Sequence, residues 1–261
     1  MAKTQTTKSR AVAIKTGKVS DGKLTAKNFI SILEKHQSDK ELQKIQRYFK
    51  TGENDYGYGD KFIGVKMGQV FAVAKEFGDM PIAEIENLLE SPIHEARAGA
   101  VSLMDKASRN KKISQDRLKE FFELYMRRHD RINNWDLCDL GCLHMTGSYL
   151  FDKPRTILYK LAKSKNIWER RTAILSTCYF IRQSELDDTF KIAEILVHDK
   201  EDLIHKATGW MLRFAGTKNA KKLITFLDKY AATMPRTLLR YSIEHFNKKD
   251  REYYMSLKNE K

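Results

Sequence analysis

Proline is scarce in this 261-residue chain, with 4 residues, and glycine is limited to 13. So few turn-forming residues exclude the dense turns of an all-β sandwich. The 3 cysteines are too few, and odd in number, for a disulfide framework, which favours a reducing compartment. No apolar run approaches the roughly 20 residues of a membrane-spanning helix, and the N-terminus lacks the apolar core of a signal peptide. The sequence therefore predicts a soluble, cytoplasmic protein.

Positive charge is in excess, because 48 Lys+Arg against 34 Asp+Glu give a formal net charge of +14. Such a surplus favours a polyanionic partner, since each neutralised phosphate releases condensed counterions. Residues 1–28 hold seven of the basic residues and one acid, so residues 1–25 are predicted to form a flexible basic arm. A solubilising tail is the alternative for this arm, and basicity alone does not separate DNA from RNA or an acidic protein.

Helical periodicity with short polar breaks runs from about residue 26 onward. The four prolines stand at predicted helix starts, where the missing N–H costs nothing. No segment alternates as a strand does, and residues 51–63 are interpreted as a loop. We predict an all-α body over residues 26–247 and a charged C-terminal tail over 248–261. The predicted helices span 26–36, 39–49, 66–77, 81–90, 93–107, 115–128, 134–143, 154–162, 166–182, 186–197, 202–215, 219–231 and 235–246.

A basic residue recurs at the fifth position of three similar predicted helices. These residues, Arg97, Arg171 and Lys206, are separated by 74 and 35 positions, and halving the longer interval places a further unit at Asn134. A period of 35–37 residues with two helices per unit is typical of HEAT-like α-solenoids. Because such stacks curve, the aligned bases predict a basic concave face that follows a phosphate backbone. A solenoid that binds protein is the alternative.

Three tryptophans lie in three of these helices, each with a polar or charged neighbour at helical spacing. The segments are Asn133-Asn-Trp-Asp-Leu-Cys-Asp139, Asn166-Ile-Trp-Glu-Arg-Arg-Thr-Ala-Ile-Leu175 and His205-Lys-Ala-Thr-Gly-Trp-Met-Leu-Arg213. Together with Arg47-Tyr-Phe-Lys50 and Phe62-Ile-Gly-Val65, they resemble the AlkD-like family of DNA glycosylases, which excise alkylated purines using HEAT-like repeats. The resemblance extends from about residue 43 to residue 246.

The resemblance implies roles for individual residues. Trp135 and Asp139, at i and i+4 on one helix face, match the family's catalytic tryptophan and aspartate. Trp210 matches a further tryptophan of the site and is also predicted to be catalytic. Arg171 and Tyr48 match an arginine and a tyrosine of the family. With the basic residues of the repeats, the predicted DNA contacts are Tyr48, Arg97, Arg171, Lys206 and Arg213.

These residue types suit hydrolysis of an N-glycosidic bond, which passes through an oxocarbenium-like transition state. Asp139 would stabilise that cation and orient or deprotonate the attacking water, while Arg171 would bind a phosphate beside the lesion. A purine alkylated at N3 or N7 is already cationic and leaves without a general acid. The resemblance thus implies a glycosylase that removes 3-methyladenine and 7-methylguanine from duplex DNA, leaves an abasic site and needs no cofactor or metal. Because no lysine in these motifs is placed as a Schiff-base nucleophile, we expect a monofunctional enzyme, and a monomer is the default expectation.

Each assignment has a structural alternative. Trp135 and Trp210 would also suit an apolar core, and Asp139 a structural salt bridge. Asp136 is interpreted as an early-turn charge that favours the helix dipole. If the site is structural throughout, the protein is a non-catalytic nucleic-acid-binding HEAT-repeat scaffold.

Three further residue types are interpreted without a catalytic role. Cys138 and Cys142 are read as buried thiols rather than zinc ligands, because no second half of a metal site accompanies them. His94, which has no nucleophile at a useful spacing, is interpreted as a surface or cap residue. Gly209 lies in mid-helix, at a cost of about 1 kcal/mol relative to alanine, which predicts a close approach to the backbone there.

Overall fold

The computed structural model describes residues 24–49, 51–53 and 55–257, most of which are helical. The predicted all-α class is confirmed, because these residues contain no strand and only one isolated β-bridge, between Lys61 and Ile93. Residues 1–23 of the predicted basic arm lie outside the described residues. Among the described helices, none combines the length and apolar character that crossing a membrane requires.

Helices follow one another along the chain with short connections. A π-helical turn (Cys142–Thr146) joins α7 to α8. The α-helices are α1 (Ala26–Glu34), α2 (Asp39–Phe49), α3 (Met67–Glu76), α4 (Ile82–Leu89), α5 (His94–Ser108), α6 (Gln115–Arg127), α7 (Trp135–Gly141), α8 (Gly147–Leu150), α9 (Thr156–Leu161), α10 (Ile167–Arg182), α11 (Asp187–Leu196), α12 (Asp202–Lys218), α13 (Ala220–Tyr230), α14 (Arg236–Ser242) and α15 (Lys248–Ser256).

Asparagine side chains define where two of the motif helices begin. The amide oxygen of Asn134 accepts a hydrogen bond from the backbone N–H of Trp135 at 2.8 Å, at the start of α7. Asn166 accepts from the backbone N–H of Trp168 at the same distance, at the start of α10. These caps satisfy backbone donors that a helix start leaves free, so both tryptophans enter their helices at defined positions.

One row of helices runs through the molecule, each packed on the next. Helix α3 contacts α5, α5 contacts α7 and the π-helical turn, these contact α10, α10 contacts α12, and α12 contacts α14. The partner helices α4, α9 and α13 each pack beside one member of this row, and α11 packs beside both α10 and α12. Such an order is that of an α-solenoid built from helix pairs, as the 35–37-residue period predicts.

Gly209 shows how closely this row is packed. A Cβ atom at Gly209 in α12 would lie 2.5 Å from Cβ of Tyr241 and 2.7 Å from the carbonyl oxygen of Leu238, both in α14. Side chains do not approach one another at these distances, so any larger residue would push α14 away. The close approach predicted from this mid-helix glycine is confirmed.

The C-terminal segment differs from its prediction. Residues 248–256 form helix α15 instead of a charged tail, and Asn247 caps it by accepting from the backbone N–H of Asp250 at 3.0 Å. Tyr254 is buried, and its hydroxyl donates to Asp228 at 2.9 Å. The charged composition of this segment gave no sign that Asn247 caps this short helix and that Tyr254 anchors it.

The predicted helix over 134–143 is also interrupted. Helix α7 ends at Gly141, where a Cβ atom would lie 2.2 Å from the ring of Tyr125, and the π-helical turn follows. In that turn the hydroxyl of Thr146 donates to the carbonyl of Cys142 at 3.0 Å. Insertions of this kind often occur at functional sites, and here the turn follows the short helix that carries Trp135 and Asp139.

The loop before α3 is anchored on α5 at its far end. The carboxylate of Glu95 accepts the backbone N–H groups of Ile63, Gly64 and Val65 at 2.9–3.2 Å. Gly64 has a φ of 77°, a conformation that favours glycine. This anchor holds the loop against the helix row and brings its preceding residues to the start of α7.

Candidate active site

A cleft of about 760 Å³ opens beside α7, α10 and α12. Every sequence-predicted site residue except Arg97 lines it, although these residues come from distant parts of the chain. The stacking of successive solenoid helices is what brings them together. The lining residues are Tyr48, Asp55, Tyr56, Trp135, Asp139, Ile167, Arg171, Glu201, Asp202, Leu203, Lys206, Trp210, Arg213 and Tyr241.

Asp139 and Arg171 form a bidentate ion pair between α7 and α10. Nε and Nη2 of Arg171 donate to the two carboxylate oxygens of Asp139 at 2.9 and 3.0 Å, and Nη1 donates to the carbonyl of Leu203 at 2.6 Å. The Asp139 side chain is 20% exposed and that of Arg171 is 6% exposed. The phosphate contact expected of Arg171 stays a prediction, and what the structure shows is a guanidinium that is buried and engaged within the protein, where it orients Asp139.

The surroundings of Asp139 change its acidity. Burial raises the pKa of the Asp139 carboxyl above its ordinary value, the positive charge of Arg171 opposes this shift, and the negative charge of Asp136 adds to it. A carboxyl group with a raised pKa at the edge of a cleft is a candidate base. Asp139 thus combines a defined orientation with a raised pKa at the edge of the cleft.

Trp135 and Trp210 border the cleft and are only partly buried. The Trp135 ring stacks on Phe49, with centroids 5.5 Å apart, and meets the edge of the exposed Tyr48 ring at 5.6 Å. Trp168, the third tryptophan, is buried in the core. Trp168 therefore belongs to the core, whereas Trp135 and Trp210, for which a core role was the alternative, present part of their surface to the cleft.

Charged groups of both signs line the cleft, and carboxylates outnumber cationic groups. Such a lining suits a bound group that itself carries positive charge. The basic character predicted for the concave face is not a property of this lining. Its charged residues are Asp55, Asp139, Glu201, Asp202, Arg171, Lys206 and Arg213.

The remaining predicted DNA contacts differ in their access to the cleft. Lys206 is 42% exposed and lies 2.7 Å from Asp202, and Arg213 pairs with Glu244. Both line the cleft and remain predicted DNA contacts. Arg97 is a correction, because it is 2% exposed, its Nη2 donates to Asp60 at 2.5 Å, and it does not line the cleft.

Sequence comparison places this architecture in a family. The family model of the DNA alkylation repair enzymes matches residues 29–246. This chain belongs to that family. A solved structure described as a predicted DNA alkylation repair enzyme from Enterococcus faecalis is similar, with a TM-score of 0.65 and 19% sequence identity over 82% of this chain and 98% of the other. At that identity the likeness shows the fold alone, and no curated protein matches this sequence significantly.

In this member of the DNA alkylation repair enzyme family, His94 is not the surface or cap residue expected. It is buried, with Nδ1 at 3.2 Å from Asp60 and Nε2 at 2.8 Å from Asp136. Asp136 lies in the first turn of α7, as interpreted, and is in addition buried and paired with His94. No local pattern could have revealed this cluster, because its three members come from the loop before α3, from α5 and from α7.

Tyr56 is a second site residue that sequence reasoning missed. It lines the cleft from the loop before α3, and its hydroxyl donates to the backbone carbonyl of Tyr48 at 3.5 Å. Burial raises the pKa of Tyr56, which keeps the phenol neutral. The only sequence signal was its place among the aromatic residues of that loop, which are Tyr56, Tyr58 and Phe62.

The cysteines are buried free thiols, as interpreted. Burial raises the pKa of Cys138 to about 12, so its thiolate is inaccessible near neutral pH. Within the described part of the chain, no group of three or more metal-ligating side chains is found.

Proposed function

We propose that this repair-family protein is a monofunctional DNA glycosylase. It hydrolyses the N-glycosidic bond of cationic N3- and N7-alkylpurines in duplex DNA, such as 3-methyladenine and 7-methylguanine, and leaves an abasic site. The observation that carries the proposal is one cleft lined both by the Asp139 carboxylate, which Arg171 orients, and by the indoles of Trp135 and Trp210.

The reaction requires little of the protein beyond charge and orientation. As the bond between C1′ and the purine breaks, its electron pair neutralises the positive charge of the alkylated ring, and the base leaves uncharged. Asp139 stabilises the oxocarbenium-like sugar, orients the water that bonds to C1′, and accepts the proton that this water loses. The indole faces favour the cationic nucleotide by about 0.5–2 kcal/mol each.

Lys206 is the lysine that lines the cleft, and its state supports hydrolysis rather than covalent catalysis. A Schiff-base mechanism needs a neutral amine, which requires a lowered pKa. The hydrogen bond to Asp202 instead raises the pKa of Lys206, so the side chain is an ammonium group. It is suited to a phosphate contact at the cleft edge.

Base release from defined duplexes tests the proposal. Wild-type protein and Asp139→Asn are incubated with DNA that contains 7-methylguanine, uracil or hypoxanthine, and freed base and abasic sites are quantified by mass spectrometry. We expect wild-type protein to release 7-methylguanine and neither neutral base, and the variant to bind the duplex without releasing base. Comparable release of uracil or hypoxanthine would contradict a mechanism that depends on substrate charge.

The same experiment distinguishes the non-catalytic scaffold. In that case Asp139 and Arg171 would serve as a structural bridge between α7 and α10, and wild-type protein would bind methylated DNA without releasing base. Binding that does not weaken as salt rises would favour a protein partner instead, because phosphate contacts are salt-dependent.

A further inference from the structure

A chain of polar contacts separate from the Arg171 ion pair holds the start of α7. Asp60, in the loop before α3, accepts from Nη2 of Arg97 at 2.5 Å and from the side-chain amide of Asn134 at 3.1 Å. The same carboxylate lies 3.2 Å from Nδ1 of His94, whose Nε2 lies 2.8 Å from Asp136. His94, on α5, therefore connects the loop to α7.

Each of these contacts converges on the first turn of α7. Asn134 is its N-cap, and Asp136 accepts both from His94 and from the backbone N–H of Leu137 at 2.8 Å. Trp135 lies between these two anchors, and Asp139 follows one turn later. Because only one helical turn separates Trp135 from Asp139, holding Asn134 and Asp136 also sets the direction of both side chains.

Aromatic packing connects the same histidine to the indole. The imidazole of His94 stacks on Phe62, with centroids 4.6 Å apart, and lies 5.0 Å from the ring of Phe49. Phe49 in turn stacks on Trp135. His94 is thus joined to Trp135 both through the backbone of α7 and through a single intervening ring.

We propose that His94 is a positioning residue, whose hydrogen bonds to Asp60 and Asp136 hold the first turn of α7 so that Trp135 and Asp139 face the bound nucleotide. This inference rests on the proposed function, in which Asp139 reacts at the sugar. His94 is 1% exposed and does not itself touch DNA. Its effect on base release is therefore exerted through α7.

Both hydrogen bonds require a protonated imidazole, because a neutral ring has one N–H and both carboxylate partners are acceptors. Burial lowers the pKa of His94, but the charges and hydrogen bonds of Asp136 and Asp60 outweigh burial and raise it to about 9. The other charged group that faces the ring is Arg97 on α5, with Nη2 at 3.5 Å from Nδ1. Above this pH one of the two bonds is lost.

This protonation also predicts how stability depends on pH. The folded-state pKa of His94 is raised above the value of about 6.5 that an unfolded chain has. The stabilisation is therefore complete below about pH 6.5 and is lost as pH rises through about 9. Loosening of α7 over this alkaline range is what the test must detect.

A spectroscopic test follows Trp135 without relying on activity. The protein is labelled with 5-fluorotryptophan, the resonances are assigned with single Trp→Phe variants, and ¹⁹F shifts are recorded from about pH 6 to pH 10. We expect the Trp135 signal to shift with a midpoint near pH 9 in the wild-type protein and to lose this transition in His94→Gln. In Asp60→Asn the midpoint falls to lower pH, because one carboxylate that raises the pKa is gone.

A kinetic test measures the consequence for base release. Misplacement of a reacting group by about 1 Å can cost about 100-fold in rate, and we expect His94→Gln to slow single-turnover release about tenfold while the Kd for the duplex is unchanged. Asp188→Asn is the matched control. The Asp188 carboxylate accepts hydrogen bonds from Arg155 at 2.6 Å and from Tyr159 at 2.5 Å, and none of these residues lines the cleft. It should lower stability and leave the release rate unchanged.

The outcomes separate the two proposals. An unchanged release rate in folded His94→Gln, or a Trp135 signal that keeps its alkaline transition in that variant, would overturn the positioning role. If the wild-type protein releases no base but the ¹⁹F transition is present and disappears in His94→Gln, the glycosylase proposal fails while the coupling of His94 to α7 stands. Should His94→Gln not fold, Asp60→Asn decides through its midpoint.

Discussion

Asp136 and Asp139 lie three residues apart on α7, yet they face different surroundings. Asp136 meets a histidine inside the protein at 2.8 Å, whereas Asp139 meets an arginine at the edge of the cleft at 2.9 Å. A histidine loses its charge within an accessible pH range, and an arginine does not. We call Asp60, His94 and Asp136 the buried side of α7, and Asp139 and Arg171 its cleft side. The comparison teaches that a carboxylate's role depends on the side chain with which it pairs and on its exposure to the cleft, rather than on its presence in a motif.

The largest expected difference between the two sides concerns the carboxylates themselves. Asp139→Asn should reduce base release by about 100-fold or more, because it removes the group that activates water. Asp136→Asn should reduce release by about tenfold, because it only loosens the position of that group. Single-turnover assays on a 7-methylguanine duplex, with Kd measured by fluorescence anisotropy, give both numbers. Equal losses in the two variants would erase the distinction between the sides.

Arg171→Gln tests the cation of the cleft side. Breaking a buried ion pair leaves an uncompensated carboxylate, so we expect a loss of about 3 kcal/mol in the free energy of unfolding. Because Arg171 opposes the raised pKa of Asp139, its removal raises that pKa further. Base release needs the ionised carboxylate. As the pH is lowered, it should therefore begin to decline at a higher pH in the variant than in the wild-type protein. Urea unfolding and a pH–rate profile measure the two effects.

A matched control for this variant lies one residue earlier. Arg170 forms a similar pair with Asp199, at 2.7 and 3.3 Å, but does not line the cleft. Arg170→Gln should lower the free energy of unfolding without moving the acidic limb of the pH–rate profile. If both variants moved that limb alike, the effect of Arg171 on Asp139 would be one of general destabilisation.

The features that sequence predicts well here are local ones. Helical periodicity gave the all-α class and the helix order, and the motifs gave most of the cleft lining. The side-chain ion pairs could not be predicted from the sequence. Asp139 and Arg171 are 32 residues apart and meet only when α7 packs on α10. The partners of His94 are 34 and 42 residues away, in other elements. A basic residue at a repeated helix position predicted a shared surface, yet Arg97 is buried because a loop carboxylate, Asp60, covers it.

Trp210 at the cleft and Trp168 in the core extend the comparison to aromatic residues. The expected effect on base release lies between that of the carboxylates and that of Lys206. Trp210→Ala should slow base release by about 3- to 30-fold, which corresponds to the 0.5–2 kcal/mol range for an indole facing a cation. Trp168→Phe should instead lower the melting temperature and leave release unchanged in the folded protein, because Trp168 is buried in the core. Thermal denaturation and single-turnover kinetics separate the two. A rate loss in Trp168→Phe as large as in Trp210→Ala would show that the cleft does not discriminate between them.

The smallest expected effect concerns the edge of the cleft side. Lys206 pairs with Asp202 at 2.7 Å beside the cleft, and Lys229 pairs with Glu194 at 2.9 Å elsewhere on the surface. If Lys206 exchanges its carboxylate for a phosphate when DNA binds, Lys206→Gln weakens binding a few-fold and lowers the slope of log K against log salt by about 1. Lys229→Gln, which loses an equivalent surface pair, should leave affinity and slope unchanged. Equal slopes for both variants would place the phosphate contacts outside this cleft, and the cleft side would then act on the nucleotide without helping to bind the duplex.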